Sequence, residues 1–125
     1  MRFKTPVAYT KLDKQKEFFS PEALKDICKT TKLPLPVTEN FSFSEVPVGK
    51  VTNLEFKRDM LIATIELKEN IIEEGTLNKY CFRVGGRVLE TEEKEAKVST
   101  EIQKIELFQI GMISKINDVY EKEDK

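Results

Sequence analysis

Two stretches of this chain repeat with a period of two. From Met60 to Leu67, one side carries Leu61, Ala63, Ile65 and Leu67, and the other Met60, Ile62, Thr64 and Glu66. From Ile105 to Met112, Ile105, Leu107, Gln109 and Gly111 alternate with Glu106, Phe108, Ile110 and Met112. That period is the pleat of a β-strand, and a helix cannot present such a pattern coherently. The second stretch, within a long strand predicted over Val98–Ile116, is largely apolar on both faces, as expected of a central strand. A β-rich architecture follows, and the rest of the chain fills it in.

Met60–Leu67 pairs naturally with Val46–Phe56 as a hairpin turning at Lys57-Arg58-Asp59, with Gly49 a bend or bulge. Phe3, Thr5, Val7 and Tyr9 alternate in a short strand, and Pro6 makes it an edge strand. Residues 11–17 read as a charged turn. Leu33–Val37 is held extended by two prolines, and residues 38–45 read as a loop. Tyr80, Phe82 and Val84 share a face of a strand over Lys79–Leu89, with Gly85-Gly86 breaking it as a bulge or letting another backbone approach. Glu90–Lys97 reads as a solvated loop or hairpin tip, and the tail 119–125 as charged and frayed.

One helix has a clear start. Ser20 can cap it, Pro21 suits the first helical position, and Glu22 complements the dipole. Phe19 and Leu24 have the spacing of a hydrophobic staple. It should run to Thr30 and bury Leu24, Ile27 and Cys28. A second short helix is predicted over 69–78, stopped by Gly75. With 125 residues, the chain is expected to be a single domain, 1–125. The fold class is α+β, mainly β: a small open barrel or sandwich of about six strands with one or two packed helices.

Composition removes whole classes of chemistry. There is no histidine, so the usual catalytic triads, Cys-His dyads and common zinc sites are missing. Cys28 and Cys81 are far apart without a CxxC pattern and read as reduced core thiols. Lys plus Arg number 21 against 22 Asp plus Glu, so no global field recruits nucleic acid or an anionic membrane. No apolar run approaches a bilayer span, and residues 1–10 hold no signal-like apolar segment. The expectation is a protein made in the cytoplasm, without cofactor or metal.

Five segments in order resemble the head-maturation (prohead) serine proteases of tailed bacteriophages. Phe19-Ser20-Pro21-Glu22-Ala23-Leu24 is similar to the family's helix start. Pro36-Val37-Thr38-Glu39-Asn40-Phe41, followed by Pro47-Val48-Gly49-Lys50-Val51, is similar to its p-v-x-x-N-H element and P-I-G-K-V. Asp59–Leu67 resembles a family strand, Phe82–Val88 its f-S-i-G-y-r-v, and Ile105–Ile113 its i-e-L-x-E-i-S-l-v. The resemblance covers roughly 18–114 and implies a prohead-protease-like fold, with capsid components as natural partners.

The chemistry of the family is replaced at the aligned positions. Its histidine falls on Phe41, its nucleophilic serine on Arg83, and its Glu-x-Ser pair on Gln109 and Gly111. A phenyl ring accepts no proton, and a guanidinium neither deprotonates nor attacks a carbonyl. Cys81, two residues before Arg83, is the one substitute nucleophile, with Arg83 placed to lower its pKa. Glu39 and Glu106 are a weaker acid–base pairing, and Gly49-Lys50 and Gly85-Gly86 lack the spacing of phosphate loops. Lys79, Arg83 and Arg87 are evenly spaced and could form a local basic patch.

The expected function is therefore that of a catalytically inactive, protease-fold virion protein. It would be a capsid auxiliary or decoration subunit that binds the major capsid protein, or other virion proteins, in many copies. Partner contacts are expected at Phe41, Phe43, Phe3 and Tyr9. The alternatives are a divergent capsid-processing protease using Cys81, and a β-rich binding module unrelated to phage heads.

Overall fold

The computed structural model describes residues 1–42, 45–73, 75–94 and 99–121. The period-two stretches become strands of a single sheet: β1 Arg2–Tyr9, β2 Glu17–Phe19, β3 Leu35–Glu39, β4 Gly49–Lys57, β5 Met60–Leu67, β6 Tyr80–Lys94 and β7 Ser99–Ser114. The helix α1 is Pro21–Thr30. The sheet runs β1-β5-β4-β3-β7-β6 and curls into a half-barrel. β6 lines one edge of β7 along its length, while β2 and β3 share the other, each parallel to it. As its two apolar faces foretell, β7 is a central strand.

The helix forms as its start signal dictates. Ser20 Oγ accepts from the Ala23 amide at 3.0 Å, and Phe19 and Leu24 both join the core. Leu24 and Ile27 are fully buried and Cys28 is half-buried, so the helix closes over β7, β4 and β5. The β4–β5 hairpin turns at Arg58 and Asp59, whose φ of 54° and 63° are the left-handed pair of a type I′ turn. Asp59, with its short polar side chain, tolerates this conformation better than most residues.

Several expectations need correction. Among the described residues, the helix expected over 69–78 is replaced by turns, bends and one 3-10 turn, Leu77–Lys79, and residue 74 lies outside them. Asn70 takes a left-handed φ of 64° there, which interrupts any helix, while Ile71 and Ile72 turn onto the core. The solvated loop or hairpin tip expected over 90–97 begins later, since β6 runs as strand up to Lys94, paired across to Ser99, and 95–98 lie outside the described residues. Cross-strand contacts hold it there: Lys94 meets Glu101, and Gln103 Nε2 donates to Glu92 at 2.7 Å. In the tail, Tyr120 is buried rather than frayed, and 122–125 lie outside the described residues. The loop expected from residue 38 begins later, because Thr38 and Glu39 belong to β3. The bulge in β4 falls between Val51 and Asn53 instead of at Gly49.

The β6–β7 ladder does slip between Gly85 and Gly86, as the glycine pair implies. Gly86 faces Leu107 while Gly85 faces Gln109, which leaves Phe108 as the extra residue on β7. A Cβ on Gly86 would stand 2.1 Å from the Glu106 carbonyl oxygen, so only glycine permits this approach.

β1 and β6 end the strand order at opposite sides, and the curl brings them together. No ladder joins them among the described residues. Phe3 instead meets Phe82 with ring centroids 5.3 Å apart, and the Arg83 guanidinium donates to the Pro6 carbonyl at 3.0 Å. Side chains close this seam in place of backbone hydrogen bonds.

Candidate functional site

Phe41, Arg83 and Gly111, three of the positions singled out by the resemblance, meet on one patch of the sheet. Arg83 of β6 lies opposite Gly111 of β7. Phe41 arrives from the turn after β3 and lays its ring on Gly111. A Cβ built on that glycine would sit 2.5 Å from Phe41 Cε1. Gly85 makes the same room, with Phe41 Cδ1 at 2.9 Å from its Cβ position. The two glycines form a bare slot, and the ring fills it.

The turn that delivers Phe41 is specified locally. Asn40 and Phe41 both have left-handed φ, 50° and 61°. The Asn40 amide donates to the Met112 carbonyl at 3.0 Å, and Gln109 Nε2 donates to the Phe41 carbonyl at 3.4 Å. Thr38, fully buried beside them, donates its hydroxyl to Gln109 Oε1. Such a satisfied buried pair holds Gln109 in one orientation.

Arg83 is buried and held from all sides. Nε and Nη2 donate to Asp118 Oδ1 and Oδ2, each at 2.8 Å, a bidentate pair. Nη1 donates to the carbonyls of Pro6 and Phe82. Tyr9 and Tyr120 place their rings at 5.4 and 5.2 Å from the guanidinium carbon, and the two rings meet edge to face at 4.9 Å. The Tyr9 amide donates to Tyr120 Oη at 3.0 Å. Burial works against the Asp118 carboxylate, but the Arg83 hydrogen bonds and charge hold its pKa below the ordinary value. Burial pushes the Tyr120 phenol up to about 12.

This arrangement fixes a strand seam: its carboxylate, Asp118, is committed to Arg83 through both oxygens, and its phenol, Tyr120, is held protonated by burial. Cys81 is buried, and its thiol is pushed up by burial, with Asp118 opposing the pull of Arg83. Glu39 pairs across from Met112, six residues along β7 from Glu106, or about 20 Å of strand. Lys79, Arg83 and Arg87 form no common patch: Arg83 is buried on Asp118, and Arg87 is exposed and pairs with Glu106 at 3.3 Å.

The expected partner contacts have internal partners. Phe3 packs on Phe82, Tyr9 on Tyr120, and Phe41 on the two glycines, each half-buried. Phe43 lies outside the described residues. Asp118 and Tyr120 were missed from the sequence because they sit in a charged tail, where nothing local marks a residue for a partner far back in the chain. Among the described residues no group of three His, Cys, Asp or Glu side chains is placed to hold a metal, and no helix is long and apolar enough to cross a membrane.

No family model, curated protein or solved structure matches the chain.

Proposed function

We propose that this chain is a binding subunit built on a protease-like frame: a catalytically inactive phage virion protein. It acts as an auxiliary or decoration subunit that binds the major capsid protein in many copies. The observation that carries the reading is the fate of the three aligned positions. Phe41, Arg83 and Gly111 are neighbours, as residues of one catalytic centre would be, yet each is a packing element. A ring, a neutralised guanidinium and a bare glycine leave a scaffold with its surfaces and no reaction.

The competing protease reading needs Cys81 as nucleophile, and a buried thiol with a raised pKa is poorly suited to attack. Quantitative mass spectrometry of gradient-purified virions of the encoding phage tests the proposal. A fixed, multi-copy stoichiometry is the expected result. Absence from mature particles overturns it and leaves an assembly factor or a binding module with no connection to phage heads.

A further inference from the structure

The seam closes along only part of β6. The β1 contacts at Phe82 and Arg83 lie near its start, and from Gly86 to Lys94 its outer edge has no strand partner among the described residues. Nine residues of unpaired edge span about 30 Å, long enough for a full added strand. Where β1 leaves β6, a cleft of about 320 Å³ opens beside this edge. Val7, Phe19, Val88 and Ile105 give it apolar walls, and Asp13 and Glu17 also line it. On this edge Val88 is 42% exposed and Leu89 45%.

Charge along this edge leans acidic, Glu90, Glu92 and Glu93 against Arg87 and Lys94, with Lys104 opposite Glu90 across the ladder. Both cations of the stretch are already neutralised, Arg87 by Glu106 and Lys94 by Glu92 and Glu101. Glu17, Glu90 and Glu93 have no ion-pair partner among the described residues. A free strand edge, an apolar cleft beside it and unpaired carboxylates are three independent features, and they converge on one kind of occupant.

We infer that the seam takes an extended, basic segment of a partner protein. The segment adds to β6 as a strand between Gly86 and Lys94 and lodges an apolar side chain among Val7, Phe19 and Val88. Its cations lie against Glu17, Glu90 and Glu93. Main-chain bonds to the edge supply affinity, while the cleft and the carboxylates select the sequence. This inference rests on the binding-subunit reading and gives the chemistry of the partner segment.

The test is a titration of the whole protein, followed by amide NMR, with a capped heptapeptide alternating lysine with valine or leucine. A second peptide with glutamate in place of lysine is the control. The lysine peptide is expected to shift the amides of residues 86–94 and 13–17, and the glutamate peptide to leave them unmoved. The surface double variant E90K/E93K should keep the dispersed spectrum and bind the lysine peptide about tenfold more weakly. Unmoved amides at millimolar peptide, shifts confined to another face, or equal binding of both peptides overturn the inference. Virion stoichiometry is read without reference to β6. Particles carrying the chain with an unresponsive edge would remove the seam site alone, and a responsive edge on a chain absent from particles would remove the capsid role alone.

Discussion

Arg83 and Asp118 join the edge strand β6 to the segment that follows β7 through two parallel hydrogen bonds of 2.8 Å. The side chains are only 10% and 17% exposed, so this is a desolvated pair rather than a surface contact. Its worth lies in what happens when it is broken. Arg83→Ala leaves the Asp118 carboxylate without its partner and frees β1 at Pro6, and should cost about 3–5 kcal/mol in urea unfolding. The double variant with Asp118→Ala should cost less than the sum of the two single changes. Additive losses would mean that the pair does not act as a unit.

The same pair sets an acid limit. Asp118 has a folded-state pKa below its ordinary 3.8, so the unfolded chain binds this proton more tightly. The contribution is complete above the ordinary value and is lost as pH falls through the lowered one. The stability difference between the parent protein and Asp118→Asn should therefore shrink on acidification across that window and stay constant above it. A constant difference down through the window would show the carboxylate to be unperturbed.

Tyr120 sets the opposite limit. Its phenol is raised from 10.0 to about 12, because burial penalises the phenolate. The folded state holds this proton more tightly, so the contribution is complete below 10.0 and disappears as pH rises through about 12. Tyr120→Phe should show a shallower loss of stability across that alkaline interval. Ultraviolet titration should find one tyrosine ionising late in the folded protein and at the ordinary pH once unfolded.

Local structure was legible in the residues because its causes are local. Ser20, Pro21 and the Phe19–Leu24 staple define the helix within six positions, and alternation on both sides of Arg58-Asp59 defines the hairpin. The mainly β, open-barrel class followed from the same periodicities. What failed needed information from elsewhere in the chain. The segment at 69–73 has helical composition, but Ile71 and Ile72 are drawn onto the core. Glu90–Lys94 looks like a loop until its cross-strand partners on β7 are known. Arg83 stood out in the sequence only through the resemblance and as part of an expected basic patch. Its partners, Pro6, Tyr9, Asp118 and Tyr120, are brought together by the curl of the sheet.

The thiols separate a scaffold from a cysteine protease. Burial raises both, and Cys81 is the more enclosed. In the folded protein, iodoacetamide at neutral pH should alkylate Cys81 at least about tenfold more slowly than in the urea-unfolded chain, as expected of an inert buried cysteine. Peptide mapping assigns the site. A Cys81 that reacts faster folded than unfolded would restore the nucleophile and sink the scaffold reading.

The aromatic slot gives a sharper test of packing, because the two partners can be changed separately. A Cβ on Gly111 has no room while Phe41 is seated, with three ring carbons between 2.5 and 2.7 Å from it. The neighbouring carbon can be accommodated only if the ring moves, and Phe41 sits in a turn pinned by Asn40, Gln109 and a left-handed backbone. Gly111→Ala should therefore cost about 1–3 kcal/mol, the usual penalty for overpacking. Phe41→Ala empties the slot and carries its own cost. In that background Gly111→Ala meets nothing from the ring and should be close to neutral. The four proteins form a cycle whose coupling, read from urea midpoints at constant m-value, should be at least about 1 kcal/mol. Equal costs for Gly111→Ala in both backgrounds would show that the ring is not what keeps position 111 bare.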